Sequence, residues 1–360
     1  MLRFISRRIL YGFFVLLGVI TVVFFLFNIL PGDPARMMMG QRADIASIET
    51  IQRDLGLDRP VHIQYFNFLN DLSPVSWYNQ SDIDGYWYLD HAKYGDVPVL
   101  FSTGKEGVFV LKKPYLRRSY QSQRPVGSII GEAFPNTALL AVVSILFAMI
   151  AGIVIGIFSA LRRDTIFDRS ALVLSVLGMS LPSFFAAILF AWVFAYMLAD
   201  VTGLNMVGSL YAVDDFGRGE YLELKNLILP AIVLGIRPLA VVVELTRNSM
   251  LEVLSQDYIR TAYAKGLTKF RVITRHALRN ALNPIITAIS GWFASLMAGA
   301  VFVEYVFDWK GLGVVIVDAL EQYDFPVIMG AVLFISVMLI AINIFIDIVY
   351  GWLDPRIRLQ

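Results

Sequence analysis

The chain has 360 residues, 57% of them hydrophobic and 16% charged, with a mean hydropathy of +0.65. That balance lies outside the range of soluble globular domains and marks a membrane protein. A net charge of +1 gives no case for a nucleic-acid partner, and the absence of cysteine excludes disulfides, thiolate catalysis and cysteine-ligated metals.

A helix needs about 20 apolar residues to cross a bilayer. Six runs reach that length: Ile9 to Leu30, Thr137 to Leu161, Ala171 to Leu198, Leu227 to Met250, Pro284 to Phe307 and Pro326 to Tyr350. A porin-like barrel would show segments of about ten alternating residues instead. The expected fold is therefore an all-α membrane protein with six transmembrane helices. Arg3, Arg7 and Arg8 precede the first run as in a secretory signal, but it ends at Pro31-Gly32-Asp33-Pro34 without a small-residue cleavage site. Residues 1–30 are thus read as a short tail and a retained first helix. His62, His91 and His276 are scattered without ligand spacing, so no metal site is expected.

Lysine and arginine in the short loops set the orientation. One side carries Arg3, Arg7, Arg8, Arg162, Arg163, Arg169, Arg247, Arg260, Lys265, Lys269, Arg271, Arg275, Arg279, Arg356 and Arg358; the other short loops carry only Arg218, Lys225 and Lys310. Both termini are predicted to be cytoplasmic.

Residues 31–134 then form a large external loop, too long for a mere connector. Asp58-Arg59-Pro60 reads as a turn, followed by an aromatic amphipathic stretch from Tyr65 to Leu72. Next comes a tract dense in aromatics: Trp77, Tyr78, Tyr86, Trp87, Tyr88 and Tyr94. These fit first the core of a small folded cap or an interfacial belt, with a surface for docking a partner or contacting substrate as the alternative.

Residues 135–360 hold the remaining five helices. In the second helix Ala148, Gly152, Gly156 and Ala160 recur every four residues, and in the fifth Gly291, Ser295 and Gly299 do so. Small residues at that spacing let membrane helices approach closely; packing within the chain and packing of a partner subunit are both open. Pro182 is expected to kink the third helix, and Pro238 to act similarly in the fourth. Arg237 puts a charge ten residues into an apolar run, and Glu244 lies two turns on along the same face. The pair reads either as a structural ion network or as the lining of a path.

Between the fourth and fifth helices, residues 251–283 are polar, basic and patterned. Asp257 suits an N-cap and Gly266 a left-handed C-terminal cap, predicting a short helix from Tyr258 to Lys265. A second amphipathic pattern follows Thr268, with Phe270, Ile273, Ala277, Leu278, Ala281 and Leu282 on one side, up to a fifth span starting at Asn283-Pro284. A plain positive-inside loop explains the charges but not two capped helices separated by one glycine. A short helix displaying Tyr258 and Tyr263 is suited to a groove of another protein.

Asp257, Tyr258, Ile259, Arg260, Thr261, Ala262, Tyr263, Ala264, Lys265, Gly266 and Leu267, followed by His276-Ala277-Leu278-Arg279-Asn280-Ala281, resemble the cytoplasmic EAA loop of permease subunits in binding-protein-dependent ABC importers. The branch resembled is that of the dipeptide, oligopeptide and nickel permeases. Further motifs agree in order: Gly56 to Pro60 with Gln64-Tyr65, Phe134-Pro135-Asn136-Thr137, Ser180 to Phe184, Thr246 to Leu254, Glu304 to Phe307, Gly311-Leu312-Gly313, Asp324-Phe325-Pro326 and Leu353 to Arg358. Arg260 and Thr261 stand where the general motif has Glu and Ala, and residues 70–123 look like an insertion.

The resemblance implies a type I importer permease in a bacterial or archaeal cytoplasmic membrane. It also implies a homologous second permease subunit, two cytoplasmic ABC ATPase subunits that bind ATP and magnesium, and an external substrate-binding protein. The helix before Gly266 would be the coupling helix. No P-loop is present, so no nucleotide is expected on this chain itself. Peptides are the expected cargo, with nickel chelates or peptide antibiotics as alternatives. A secondary transporter would need inverted repeats and midplane carboxylates, for which Glu244 alone is thin support. An intramembrane enzyme is disfavoured because no Ser/His pair has motif context.

Overall fold

Long apolar runs become helices because a backbone in lipid must satisfy its own hydrogen bonds. The computed structural model describes residues 2–29, 58–82, 85, 87–104, 106–214 and 219–353. In chain order it has α1 (Leu2–Ile29), α2 (Val61–Leu72), β1 (Val75–Asn79), α3 (His91–Tyr94), β2 (Val99–Thr103) and β3 (Gly107–Leu111). The long α4 (Val126–Leu161) is followed by α5 (Ile166–Ser180), α6 (Ser183–Phe190) with a π-helical extension Ala191–Met197, α7 (Ala199–Thr202), β4 (Tyr211–Val213) and β5 (Glu220–Leu222). Then come α8 (Ile228–Leu254), α9 (Asp257–Ala264), α10 (Lys269–Arg271), a π-helical stretch Val272–Ala277, α11 (Leu278–Gly299), α12 (Val301–Phe307), α13 (Leu312–Glu321) and α14 (Phe325–Leu353).

Among the described residues four helices are long and apolar enough to cross a membrane, within 6–27, 126–161, 224–254 and 325–348. Two bent pairs, α5 with α6 at 112° and α11 with α12 at 58°, bring the number to as many as six if each pair is one span. The third run is therefore not the kinked single helix expected at Pro182 but two helices. Leu181 is extended (φ −71°, ψ 128°), as a residue before proline prefers, and Pro182 caps α6 from outside. Pro238 and Pro284, by contrast, lie inside α8 and α11, which continue through them. Asn283-Pro284 is thus not a helix start: the backbone is helical from residue 269 onward into the fifth run.

The described residues form two compact units, one drawn from 133–317 with 338–353 and 2–5, the other from 6–132 with 318–337. In the second, Phe24 of α1 is buried against Tyr65 and Phe68 of α2, at ring separations of 5.2 and 5.6 Å, with Met329 and Leu333 completing the cluster. The Thr21 and Tyr65 hydroxyls are 2.7 Å apart. Three antiparallel strands in the order β1-β3-β2 pair Val75 with Leu111 and Trp77 with Phe109. Side chains alternate across a sheet. Accordingly Tyr78, Val108 and Val110 pack inward with Leu89, while Val75 and Leu111 face outward.

Asp71 anchors this unit. Its buried carboxylate accepts from Lys93 Nζ at 2.8 Å and from the Tyr94 hydroxyl at 2.5 Å, and its carbonyl accepts from Lys112 Nζ at 2.6 Å. Burial pushes the Lys112 ammonium down to about 8, and burial beside Asp71 raises the Tyr94 phenol.

In the first unit α8 is the central helix, with Leu229, Val233, Ala240, Val242, Val243, Thr246 and Met250 buried along it. A Cβ at Gly152 would stand 2.7 Å from Val242 Cγ1, and one at Gly156 would stand 2.6 Å from Thr246 Cβ. Glycine there lets α4 lie directly on α8. Past α12 the chain turns at Asp308 (φ 52°) and is tied down around the buried Trp309. The indole N–H donates to the Asn136 carbonyl at 3.0 Å, Asn136 Nδ2 donates to the Lys310 carbonyl at 2.7 Å, and the Gly313 N–H donates to Glu304 Oε2 at 2.6 Å.

Candidate functional site

The short helix α9 begins one residue earlier than expected. Gln256 is its cap residue (φ −73°, ψ 146°), and Asp257, read as the cap, is instead the first helical residue, where its charge still suits the positive end of the dipole. At the other end Gly266 has φ +77°. Its N–H donates to the Tyr263 carbonyl at 2.9 Å, and the Leu267 N–H donates to the Ala262 carbonyl at 3.4 Å. This is the double closure of a Schellman cap, which wants glycine in the left-handed position. Thr268 then caps the next helix, its hydroxyl accepting from the Arg271 N–H at 3.4 Å.

α9 is two-faced. Ile259 and Ala262 are buried with Ala160, Met250, Val272, Ile273, Ala277 and Ala281, and Leu267 packs against the same cluster. Tyr258 and Tyr263 are 43% and 44% exposed, and Arg260, Thr261, Ala264 and Lys265 also face outward. Arg260 reaches Asp257 at 3.4 Å across a fully exposed turn, and Asn280 Nδ2 donates to the Tyr258 hydroxyl at 2.8 Å. Phe270, counted with the apolar face of the following helix, is 77% exposed. The π-helical stretch 272–277 widens the helix and breaks the 3.6-residue phase that relates Phe270 to Ile273 and Ala277.

A second pair, Asp168 with Arg247, is joined by no local sequence motif. Asp168 is buried near the start of α5, where Thr165 is the cap residue and Asp168 the third helical one. Its Oδ1 and Oδ2 accept from Arg247 Nε and Nη2 of α8 at 2.6 and 2.7 Å. Ser159 of α4 donates its hydroxyl to the same carboxylate, and the Asp164 N–H donates at 2.9 Å. Thr165-x-x-Asp168 is a capping-box spacing and was the one local signal for it.

Arg237 is exposed on α8, its Nη2 3.5 Å from the Met179 carbonyl. It lines a cavity of about 110 Å³ with Gly178, Leu181, Ser183, Trp292 and Ser295. The structure does not pair it with Glu244, which is exposed further along α8. The spacing that suggested a shared network therefore brings Arg237 to a cavity and leaves Glu244 outside it. On α11, Gly291 and Ser295 are exposed, and a Cβ at Gly291 would meet nothing within 4 Å. The surroundings of Gly299 lie outside the described residues.

The aromatics of the segment between α1 and α4 divide. Tyr78 is 2% exposed and belongs to the core of its sheet, whereas Trp77 is 36% exposed, with Trp87 against it at 6.3 Å. Tyr88 is half-buried, and Tyr86 lies outside the described residues. Among the described residues no cluster of three or more potential metal ligands occurs.

Several helices of membrane-crossing length and apolarity, with the two-faced α9 in the polar stretch between α8 and α11, are features expected of a membrane transport subunit. Residues 152–359 match the family of inner membrane components of binding-protein-dependent transport systems, and residues 1–82 match that family's N-terminal component. The chain belongs to this family. It is 35% identical to the dipeptide transport system permease protein DppB of Escherichia coli (strain K12), with 99% of each chain covered. It is 34% identical to the di/tripeptide transport system permease protein DppB of Pseudomonas aeruginosa (strain UCBPP-PA14), with both chains fully covered. To the glutathione transport system permease protein GsiC of Salmonella choleraesuis (strain SC-B67) it is 34% identical, with 99% of each covered. A solved structure of the inward-facing MetNI methionine ABC transporter matches with a TM-score of 0.50 at 14% identity, over 63% of this chain and 97% of that one; that likeness concerns the fold alone.

Proposed function

We propose that the chain is one of two related permease subunits of an ATP-driven importer that carries di- and oligopeptides across the cytoplasmic membrane of a bacterium or archaeon. The observation that carries this reading is end-to-end similarity, at 34–35% identity, to permeases named for dipeptides, di/tripeptides and glutathione. Both termini face the cytoplasm, as the arginine-rich short loops favour. Six spans result when each bent helix pair is taken as one.

In this reading α9 seats in a cleft of a cytoplasmic ATPase, which binds ATP and magnesium. Its supports are a buried face of Ile259 and Ala262, an exposed face of Tyr258, Arg260 and Tyr263, and the C-terminal closure at Gly266. The second permease packs on the stripe of small residues Gly291, Ser295 and Gly299, which permits close approach and of which Gly291 and Ser295 are exposed. An external binding protein delivers the peptide, and the aromatic insertion 70–123 takes part in receiving it. Closure of the ATPases shifts the permease between inward- and outward-open states through their differential affinity for the two.

The test is uptake of a labelled dipeptide by cells that lack peptide permeases of their own and express this chain with its operon partners. Deleting residues 258–266 abolishes uptake and ATPase co-purification while membrane insertion persists. A stable complex with the ATPase after that deletion overturns the coupling assignment.

A further inference from the structure

Two cavities among the membrane helices differ in one respect. The larger, of about 430 Å³, is lined by Ile145, Ile289, Ser290, Phe293, Ala341, Ile342, Phe345 and Ile346 and carries no charge. The smaller, of about 110 Å³, holds Arg237 among otherwise uncharged side chains. A guanidinium is always protonated and presents five N–H donors in a planar fork. Here only Nη2 is engaged, at 3.5 Å from the Met179 carbonyl, and no carboxylate of the described residues pairs with the group. Arginine in an apolar run is costly and ordinarily faces a partner or a water-filled path. The protein keeps the charge in a cavity, with most of its donors uncommitted.

We infer that Arg237 is a binding residue for the carboxylate of the transported solute, so that the path takes peptides by their C-terminal carboxylate group. The inference rests on the peptide reading above. The fork of Arg237 matches a carboxylate bidentately. Ser183 opens α6 on the same cavity wall, and the first N–H groups of that helix have no acceptor within it. Ser295 adds a hydroxyl and Trp292 an apolar wall. The volume suits one end of a peptide, not its whole length. The weak contact to Met179 is easily exchanged for a carboxylate, and the site binds without trapping because it offers one full charge only.

The experiment compares dialanine with dialanine amide in proteoliposomes holding the complete importer, with the binding protein supplied in excess and unchanged throughout. Wild-type protein, Arg237→Lys, and two neutral replacements of different shape, Arg237→Gln and Arg237→Met, are scored by the ratio of carboxylate to amide uptake. Because the binding protein is constant, any change in the ratio reports on the permease. The expected result is a fall in that ratio of about tenfold or more in both neutral variants, the scale of a charge-assisted pair, with most of it kept in Arg237→Lys. Wild-type uptake of dialanine with an unchanged ratio in an assembled neutral variant overturns the carboxylate assignment and leaves the peptide reading standing. Absence of peptide uptake by the wild-type importer overturns the peptide reading, and the carboxylate assignment falls with it.

Discussion

Arg247 holds Asp168 with both arms of its guanidinium, Nε to Oδ1 at 2.6 Å and Nη2 to Oδ2 at 2.7 Å, across 79 residues of sequence. The two side chains are 14% and 2% exposed, and the Ser159 hydroxyl donates to the same carboxylate. Three helices, α4, α5 and α8, are thereby fastened at one point. A buried pair contributes little relative to an apolar replacement, but losing one member strands the other. Asp168→Asn or Arg247→Ala is expected to cost about 3–5 kcal/mol, read as a lower unfolding midpoint in detergent. The double variant Asp168→Asn/Arg247→Ala should be less damaging than the sum of the singles, and strict additivity would show that the pair is not coupled.

Gly266 is expected to discriminate between side chains by backbone alone. With φ +77° and open space where a Cβ would go, Gly266→Ala meets strain but no clash, at a cost of about 1 kcal/mol. Gly266→Val should be markedly worse and Gly266→Pro worst, because proline cannot take a positive φ and lacks the N–H that closes on Tyr263. Retention of the ATPase on affinity purification is the readout, with membrane insertion as the control. Equal retention by the alanine and proline variants would mean that the cap is irrelevant to the partner.

The two small-residue stripes make opposite predictions. Gly156→Ala places a methyl against Thr246 Cβ and the Val243 carbonyl, at 2.6 and 2.8 Å, and overpacking of this kind costs about 1–3 kcal/mol. A Cβ at Gly291 would meet nothing within 4 Å, so the side chain of Gly291→Leu starts in open space. Thermal stability of the isolated subunit should therefore drop for the first and hold for the second, while recovery of the second permease should drop for Gly291→Leu. If that variant assembles normally, the partner does not sit on this stripe.

Around Asp71, stability should depend on pH in a direction fixed by Lys112. Its folded value of about 8 lies below the ordinary 10.5, so between those values the unfolded chain holds the extra proton and stability rises with pH. Above the ordinary tyrosine value of 10 the raised phenols of Tyr78 and Tyr94 reverse the trend, because there the folded state keeps protons that the unfolded one loses. Protease resistance of the segment between α1 and α4 in the full chain should increase from pH 8 toward pH 10 and decline beyond it. Lys112→Met should remove the rising limb, and persistence of that limb would assign it to another group.

Local chemistry made some of this legible in advance. Gly266, the capped helix before it and the apolar runs each carry their signal within a few residues. Long-range relations do not: nothing near Asp168 names Arg247 as its partner. Proline was ambiguous for a related reason. Pro182 separates two helices while Pro238 and Pro284 ride within theirs, since neighbouring helices decide whether the lost backbone bond is tolerated. Phe270 was misplaced because a constant 3.6-residue period was assumed across a widened turn. The three strands of the external insertion are five residues each, too short for alternation to stand out among so many aromatics, although β1 does alternate outward and inward.

Only Lys265, Gly266, Leu267 and Thr268 separate α9 from α10, and both ends of that connection are closed by hydrogen bonds. Such a joint has almost no slack. In the proposed coupling role, a pull on α9 would pass through Ile259 and Ala262 to Val272, Ile273 and Ala277, which share one buried cluster with them. Those residues belong to the wide, less regular turn that continues into α11. If α9 couples as proposed, a displacement of the loop would thus be delivered to this π-helical turn, inside the helix and one turn beyond the joint.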